Sequence, residues 1–249
     1  METDYTFLKS DQWDKWDDIE TDQRQGVPAP PVQKATVAHA PLVDLPAPDD
    51  LTVGTMPLIE AIRRRRSRRK FTTEFLSLEE LSFLLWATQG ASRVVGGAEA
   101  RHVLRTVPSG GNRHPFETYL LVNRVEQIEP GLYRYLPLEH KLTLLSTAAG
   151  LVDRIHEGTF DQYVKGSAVT FVWTAIPYRT AWRYSILSPK IIAQDSGHLC
   201  QNLYLASEAI GAGTCAIGAY NQEKMDAALN VDGEREFTIY VAPVGKIKR

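Results

Sequence analysis

The fold of this 249-residue chain is most constrained by five short runs of β-branched and aromatic residues, separated by Pro, Gly or charged turns. The runs are ETYLLVNR, GLYRYLP, KLTLLS, AVTFVWTAI and FTIYVAPVG, and such runs are typical of strands. Before the last run, residues 189–213 have a long helical pattern with Leu199, Leu203, Ala206 and Ile210 on one side. This mixed order predicts an α+β fold, with a sheet of about five strands covered by helices.

Residues 1–50 differ in composition from the rest of the chain. They contain acidic residues and the run GVPAPPVQKATVAHAPLVDLPAPDD, in which closely spaced prolines favour extended backbone. We therefore predict an extended, Pro-rich N-terminal arm over residues 1–50 and one globular domain over residues 51–249. The composition also allows a disordered tail, but exposed aromatic rings are costly in water, which favours docking on a surface. The rings in question belong to Tyr5, Phe7, Trp13 and Trp16.

The densest local charge is RRRRSRRKF at residues 63–71, with seven cations in nine positions. The whole chain has 28 Lys and Arg against 30 Asp and Glu, so a broad basic surface for nucleic acid is not expected. If the backbone extends after the preceding helical pattern, Arg65, Ser67 and Arg69 project to one side. Two guanidinium groups with a hydroxyl between them suit a phosphate. A solvated basic face and a nucleic-acid patch are the alternatives.

A second helix is predicted by SLEELSFLLWATQG. Ser77 and Glu80 have the spacing of a capping box, and Gly90 stands where the helix would end. The apolar residues between them recur at helical spacing.

Several common kinds of site have no sequence signal. Cys200 and Cys215 lie among apolar and small residues without CxxC spacing, which favours buried thiols over a disulfide or zinc ligands, and we predict no metal site. No stretch reaches the roughly 20 apolar residues of a membrane span, and the N-terminus lacks a signal-peptide core. We therefore expect a cytoplasmic protein without a membrane partner. No GxGxxG motif lies between a strand and a helix, so a nicotinamide would bind without its own Rossmann domain.

Two glycine-containing loops are candidate ligand contacts. In VPSGGNRHPFETYLLV, residues 107–122, the glycines let a ring approach the backbone, and the Asn112 amide offers a donor and an acceptor. After the long helical pattern, Gly218 in IGAY can present a bare backbone N–H to a flat cofactor. A plain loop and a tight turn, respectively, are the alternatives.

The chain resembles the nitroreductase family of FMN enzymes over residues 50–249, and more closely its SagB-type branch, the azoline dehydrogenases and their stand-alone relatives. The motifs occur in the order RRSRRKF, SLEELSFLLWATQG, PSGGNRHPFETYLLV, SGHLCQNLYLASEAIGAGTCAIGAY and VAPVGK. The resemblance implies a nitroreductase-like fold, with a central, mostly antiparallel sheet flanked by helices, in an intertwined homodimer. It also implies an FMN-dependent oxidoreductase that passes a hydride through flavin N5, from transiently bound NAD(P)H to nitro, quinone or other electron-poor small molecules.

The same resemblance implies roles for individual residues. The residues implied for the phosphate and ribityl part of FMN are Arg65, Arg66, Ser67 and Arg69, with help from Lys246 or Arg249. Those implied to line the isoalloxazine of a flavin bound mainly to the other subunit are Pro108, Ser109, Gly110 and Asn112. Those implied to lie beside flavin N5 are Ile217, Gly218 and Ala219.

Arg183 and Tyr184 are the predicted catalytic residues. Azoline-oxidising relatives carry a Lys-Tyr pair at what resembles this position, and the resemblance assigns that pair to deprotonation of the azoline ring. Arginine stays protonated and cannot act as a base, whereas Tyr184 keeps a proton donor and Arg183 can orient an anionic or carbonyl substrate. A helix-edge aromatic beside a surface arginine is the structural alternative.

The open functional alternatives are a SagB-type azoline dehydrogenase that oxidises thiazoline or oxazoline rings, a flavin-binding protein without turnover, and a nucleic-acid module, which the acidic total charge disfavours.

Overall fold

The computed structural model describes residues 5–95 and 102–248. The strands of this part of the chain are β1 (Leu42–Asp44), β2 (Ala91–Val95), β3 (His102–Arg105), β4 (Phe116–Val122), β5 (Gly131–Leu136), β6 (Lys141–Ser146), β7 (Val169–Ala175), β8 (Ala212–Thr214) and β9 (Phe237–Lys246). The α-helices are α1 (Leu58–Arg64), α2 (Leu78–Gln89), α3 (Leu151–Gly158), α4 (Tyr178–Tyr184), α5 (Ser188–Ala209) and α6 (Gln222–Leu229).

Seven strands form one sheet in the order β1-β6-β5-β4-β7-β9-β8, and each neighbouring pair is antiparallel. This confirms the predicted α+β class and the mostly antiparallel sheet. The predicted number of strands was wrong, because the structure adds β1 and β8 to the five and places β2 and β3 in a separate hairpin. The two added sheet strands have only three residues each, which is too short for an alternating pattern to show.

The core lies on both faces of this sheet. Strands β4, β5 and β7 are buried along their whole length, which explains their nearly continuous apolar sequences. One face packs against α2 and α5, with Leu81 and Leu203 among the fully buried residues. The opposite face packs against α3 and α6 around Ile155 and Met225. Helix α5 is therefore fixed to the sheet along one of its faces.

The predicted helices are present. In α2, the Glu80 N–H donates to Ser77 Oγ at 3.1 Å while the Ser77 N–H donates back to the Glu80 carboxylate at 3.0 Å, and Gly90 is the C-cap. The long helical pattern is α5, and its predicted glycine-broken exit is Gly211, which has a φ of +68°. No helix within the described ranges has the length and apolarity needed to cross a membrane.

The N-terminal arm docks on the rest of the chain, although three of the four aromatic rings on which that prediction rested, those of Tyr5, Phe7 and Trp13, remain exposed. The Trp182 Nε1–H donates to the Val27 carbonyl at 2.8 Å, and the main chain of Gln23 donates to the Trp182 carbonyl at 2.9 Å. The arm is less extended than its prolines suggest, because it contains 3-10 helices at Thr6–Leu8 and Asp11–Asp18. These helices precede the proline-rich run, so the prolines do not restrict their backbone.

Both cysteines have the predicted state. Cys200 and Cys215 are buried and free of disulfide bonds. Burial raises the pKa of the Cys200 thiol to about 12, so it stays protonated and behaves as a small apolar side chain.

Candidate functional site

The backbone leaves the helix within the arginine run, as the sequence predicted. Helix α1 ends at Arg64, and Arg65 has non-helical dihedrals of φ −47° and ψ 123°. Ser67 then forms an isolated parallel bridge with β8. Glu208 of α5 holds this segment by accepting from the Arg66 N–H at 3.3 Å and from the Arg68 Nε–H at 3.2 Å.

The segment is also contacted by Tyr204 of α5. The Tyr204 hydroxyl lies 3.2 Å from Ser67 Oγ and accepts from the Ala216 N–H at 2.8 Å. The Arg65 guanidinium lies 5.4 Å from the centre of the Tyr204 ring. One tyrosine thus links the arginine run to the segment that follows β8.

The charges of the run are unequally committed. Arg64 and Arg68 form ion pairs with carboxylates, whereas Arg65 and Arg69 form none within the described residues. The Arg66 guanidinium instead donates to the carbonyls at positions 63 and 65, at 3.1 and 2.8 Å. Arg65 and Arg69 thus have the charge to match a phosphate dianion, although Arg63, Arg66 and Lys70 also form no ion pair within the described residues.

The C-terminal cations differ in position. The Lys246 ammonium is paired with the Glu80 carboxylate and donates to the Ile210 carbonyl at 2.9 Å, so it is held at the start of α2. A cavity of about 530 Å³ beside the arginine run is lined by Ser67, Arg68, Arg69 and Lys248 among other residues, and Arg65 does not line it. The C-terminal cation beside these arginines is therefore Lys248, which was not among the predicted residues. Arg249 lies outside the described residues.

A second cluster forms where residues 108–112 meet the first half of α5. The Asp195 carboxylate accepts from Ser109 Oγ at 2.6 Å and from the Gly110 N–H at 3.1 Å. Ser109 Oγ in turn accepts from the His114 N–H at 2.9 Å. Burial raises the pKa of Asp195, and the hydrogen bonds from the loop oppose that rise. A buried carboxylate therefore fixes the shape of this loop.

Both predicted catalytic residues contact this loop. Gly111 has a φ of +57°, and a Cβ at that position would lie 2.6 Å from the Tyr184 hydroxyl and 2.7 Å from Arg183 Cδ. Tyr184 is the last residue of α4, and the following Ser185 has φ 46° and ψ −125°, a strained conformation for a residue with a side chain. Strain of this kind persists only where the surroundings fix the backbone, so the end of α4 is held in one position.

The remaining loop residues have polar partners. Asn112 Oδ1 lies 2.8 Å from His114 Nε2, and the Pro108 carbonyl lies 3.3 Å from His198 Nδ1. His198 therefore has a structural contact with the backbone of this loop. Burial, followed in size by the neighbouring charges of three arginines, lowers the pKa of His114 to about 3, so its ring is neutral.

The third predicted segment follows β8. The Ile217 N–H donates to the Val241 carbonyl at 2.7 Å, and the Ile217 side chain is buried in the core. The Ala219 carbonyl accepts from Gln162 Nε2 at 2.9 Å. Gly218 is exposed, and no atom lies within 4 Å of the position that a Cβ would take. The open backbone of this segment is therefore at Gly218.

Within one chain the predicted residues form two groups and not one site. The arginine run and the Gly218 segment meet at Tyr204, whereas the loop at 108–112 and Tyr184 meet near Asp195. Tyr204 follows Asp195 by nine residues of the same helix, which is about 14 Å along its axis. The two groups therefore lie toward opposite ends of α5.

The model of the nitroreductase family matches residues 62–246. This chain belongs to the nitroreductase family. Two relatives are 27% and 28% identical to this chain. The first is the nitroreductase homologue MJ1384 of Methanocaldococcus jannaschii, matched over 199 residues, 78% of this chain and 93% of the relative. The second is the trifolitoxin-processing protein TfxB of Rhizobium leguminosarum bv. trifolii, matched over 63% of this chain and 44% of the relative.

Solved structures have the same fold. A protein described as a nitroreductase, from Anabaena variabilis, has a TM-score of 0.73 at 22% identity; the match covers 93% of this chain and 43% of that chain. A chain of the E. coli microcin synthetase complex McbBCD has a TM-score of 0.61 at 20% identity; the match covers 87% of this chain and 85% of that chain. A Desulfovibrio desulfuricans protein solved in complex with FMN has a TM-score of 0.51 at 20% identity; the match covers 78% of this chain and 88% of that chain. These likenesses confirm the predicted nitroreductase-like fold.

Three residues that organise the candidate site were not predicted from the sequence: Asp195, Tyr204 and Glu208. Asp195 precedes Leu199 by one helical turn, so it occupies the apolar side of α5, where a carboxylate requires polar partners. That signal was available from the sequence. Tyr204 and Glu208 show no such signal, because their importance comes from contacts with a segment more than 130 residues earlier in the chain.

Proposed function

We propose that this nitroreductase is an FMN-dependent oxidoreductase that moves a hydride from NAD(P)H to nitro, quinone or other electron-poor small molecules. The observation that carries the proposal is the pair of contacts at Tyr204, whose hydroxyl lies 3.2 Å from Ser67 Oγ and whose ring centre lies 5.4 Å from the Arg65 guanidinium, together with the lack of an ion pair at Arg65 and Arg69 within the described residues. The fold shared with a protein solved in complex with FMN supports the choice of cofactor.

The residues present fit the charged end and the flat ring of FMN. Arg65 and Arg69 have no carboxylate partner within the described residues, and Lys248 lines the same cavity as Arg68 and Arg69. At Gly218 the open backbone leaves room for a planar group, which a larger side chain would fill. Bound there, FMN supplies hydride chemistry, which no amino-acid side chain provides.

Tyr184 and Arg183 fit a reductase that acts on an electron-poor group. Reduction of a quinone requires a hydride and a proton, and the Tyr184 hydroxyl, which lies against the loop at Gly111, is the proton donor in this proposal. Arg183 stays charged at any working pH and stabilises the negative charge that develops on the acceptor oxygen. The rigid end of α4 keeps both groups in place.

A homodimer is part of the proposal, because neither group of site residues is complete alone. In a two-fold pair with antiparallel α5 helices, the end carrying Asp195 in one chain faces the end carrying Tyr204 in the other. The exposed surface supports such pairing. Helix α1 leaves three large apolar side chains more than half exposed: Leu58, Ile59 and Ile62. On α5, Gly197 is exposed with no atom near its Cβ position, which allows a second helix to approach closely.

A SagB-type azoline dehydrogenase is the second candidate, and the similarity to TfxB and to a chain of the McbBCD complex favours it. Arg183 opposes it, because an arginine cannot remove a proton from an azoline ring. The two candidates differ in the direction of electron flow. A reductase consumes NADH or NADPH without oxygen, whereas a dehydrogenase converts a thiazoline peptide to the thiazole while oxygen is consumed.

The flavin assignment is tested by changing Arg65 and Arg69 together to Ala. Each charge-assisted hydrogen bond contributes about 1.5–3 kcal/mol, so we expect FMN binding to weaken at least roughly 100-fold. The measurement is the visible flavin absorbance of the purified protein, followed by titration with FMN. The matched control is Arg63→Ala with Arg64→Ala, which removes the same charge from α1 and is expected to keep the flavin. Equal flavin content in both double variants would remove the arginine run from the proposal.

A further inference from the structure

The first part of the N-terminal arm is tied to the helices that carry the candidate catalytic residues. The Lys190 ammonium, in the first turn of α5, donates to the Leu8 carbonyl at 2.5 Å and to Ser10 Oγ at 2.8 Å. Further along the arm, Arg24 donates to the Trp16 carbonyl at 2.8 Å. The Tyr178 hydroxyl of α4 donates to an arm carboxylate at 2.5 Å. The arm is thus attached on both sides of its two tryptophans.

These attachments bring both arm tryptophans to Tyr184. The ring centres of Trp13 and Trp16 lie 6.0 and 5.9 Å from that of Tyr184, and 5.4 Å from each other. These distances are within the range of favourable aromatic pairs. The Arg24 guanidinium lies 4.4 Å from the Trp16 ring and supports it from the other side of the arm. Tyr184 therefore has indole rings near its own ring and the loop at Gly111 near its hydroxyl.

Burial alone does not explain this arrangement. Trp13 remains 39% exposed, and the neighbouring Tyr5 and Phe7 are 60% and 51% exposed. A segment that docked only to bury apolar surface would cover its largest rings. The contacts instead fix the tryptophans beside Tyr184 while leaving indole surface open. Both indole rings lie within 6.0 Å of the ring of Tyr184, the residue at which the proposed function places the acceptor.

We propose that Trp13 and Trp16 form a wall of the substrate site and select flat, conjugated, electron-poor rings by stacking. The inference rests on the proposed function, because that function places the substrate at Tyr184. Indole is the most electron-rich aromatic side chain, and its face complements an electron-poor ring such as a quinone. Selection by the arm adds specificity residues that lie outside the segment matched by the family model, which begins at residue 62.

The test compares Trp16→Leu with Trp16→Phe, and Trp13→Leu with Trp13→Phe, in the full-length FMN-bound protein. Leucine removes the ring while retaining apolar bulk, and phenylalanine retains a ring. Two acceptors are used: menadione, which is a flat quinone, and ferricyanide, which has no ring to stack. The control is Phe7→Leu, which removes an arm ring outside the Tyr184 cluster.

With menadione, we expect each Leu variant to lose roughly 3- to 10-fold in kcat/KM, mostly through KM, which is the size of one aromatic contact. The Phe variants retain most of the activity, and rates with ferricyanide, flavin content and the control variant stay within about twofold of the parent protein. Equal losses with both acceptors, or no loss with menadione, would overturn the inference and leave the arm with a structural role. A parent protein that binds FMN but is not reduced by NADH or NADPH, or that binds no FMN, would instead refute the proposed function.

Discussion

At the scale of single residues, buried charges decide how the candidate site is shaped. Glu208 accepts from Arg68, whereas Arg65 and Arg69 form no ion pair within the described residues. The projection of Arg65, Ser67 and Arg69 to one side, which an extended backbone would give, stays a prediction. The carboxylate that pairs with Arg68 was not predictable, because Glu208 on α5 is distant in sequence and carries no local signal.

His114 makes the loop at 108–112 sensitive to acid. Its pKa is lowered from 6.5 to about 3 by burial and by neighbouring arginines, so the unfolded chain takes up a proton between these values while the folded chain does not. The folded state therefore has its full stability, as far as His114 is concerned, above pH 6.5, and it loses part of this stability as the pH falls from 6.5 toward 3. Between pH 6.5 and 5, we expect the wild type to lose about 1–2 kcal/mol more unfolding free energy than His114→Gln. Urea unfolding at both pH values measures this, and parallel losses in the two proteins would contradict it.

At the scale of elements, the sequence predicted what repeats and missed what is short. The capping box of α2 and the apolar side of α5 were readable because their signals span at least one helical turn. Strands β1 and β8 have three residues each and are strands because longer neighbours supply their partners. The hydrogen bonds from Ser109 and Gly110 to Asp195 were also not predictable, because they join a loop to a helix more than 80 residues later in the chain.

The loop itself gives a sharp test of its contact with α4. At Gly111, an added methyl group meets a φ of +57° and the Tyr184 hydroxyl at 2.6 Å, so Gly111→Ala must displace Tyr184 or the loop. We expect kcat/KM to fall roughly 10- to 100-fold with the fold retained, as small misplacements of reacting groups do. The matched control is Gly166→Ala, where the nearest atom lies 3.8 Å from the new Cβ. Unchanged kinetics in Gly111→Ala would separate this loop from the active site.

At the scale of the whole molecule, the fold class, the order of the motifs and the family were predictable, because they depend on patterns spread over most of the chain. The division of the candidate residues between the two ends of α5 was not, because linear order does not reveal how far apart two loops lie in space. The arm was predicted to dock, but its position beside Tyr184 required the structure.

The proposed dimer predicts a link between assembly and flavin content. Ile59→Glu with Ile62→Glu places two charges on the exposed apolar surface of α1, and we expect the protein to become monomeric and to lose FMN. Light scattering after size-exclusion chromatography gives the mass, and visible absorbance gives the flavin content. The control, Ile59→Val with Ile62→Val, keeps the surface apolar and is expected to stay dimeric. A monomeric Glu variant that retained full flavin would show that one chain suffices for binding.

Helix α5 carries Asp195 near one end and Tyr204 near the other, and it is packed along the sheet between them. In a two-fold pair, each such helix would touch both flavins, one through the loop and one through the arginine run. A substitution that displaces α5 would therefore disturb both flavin sites of such a pair.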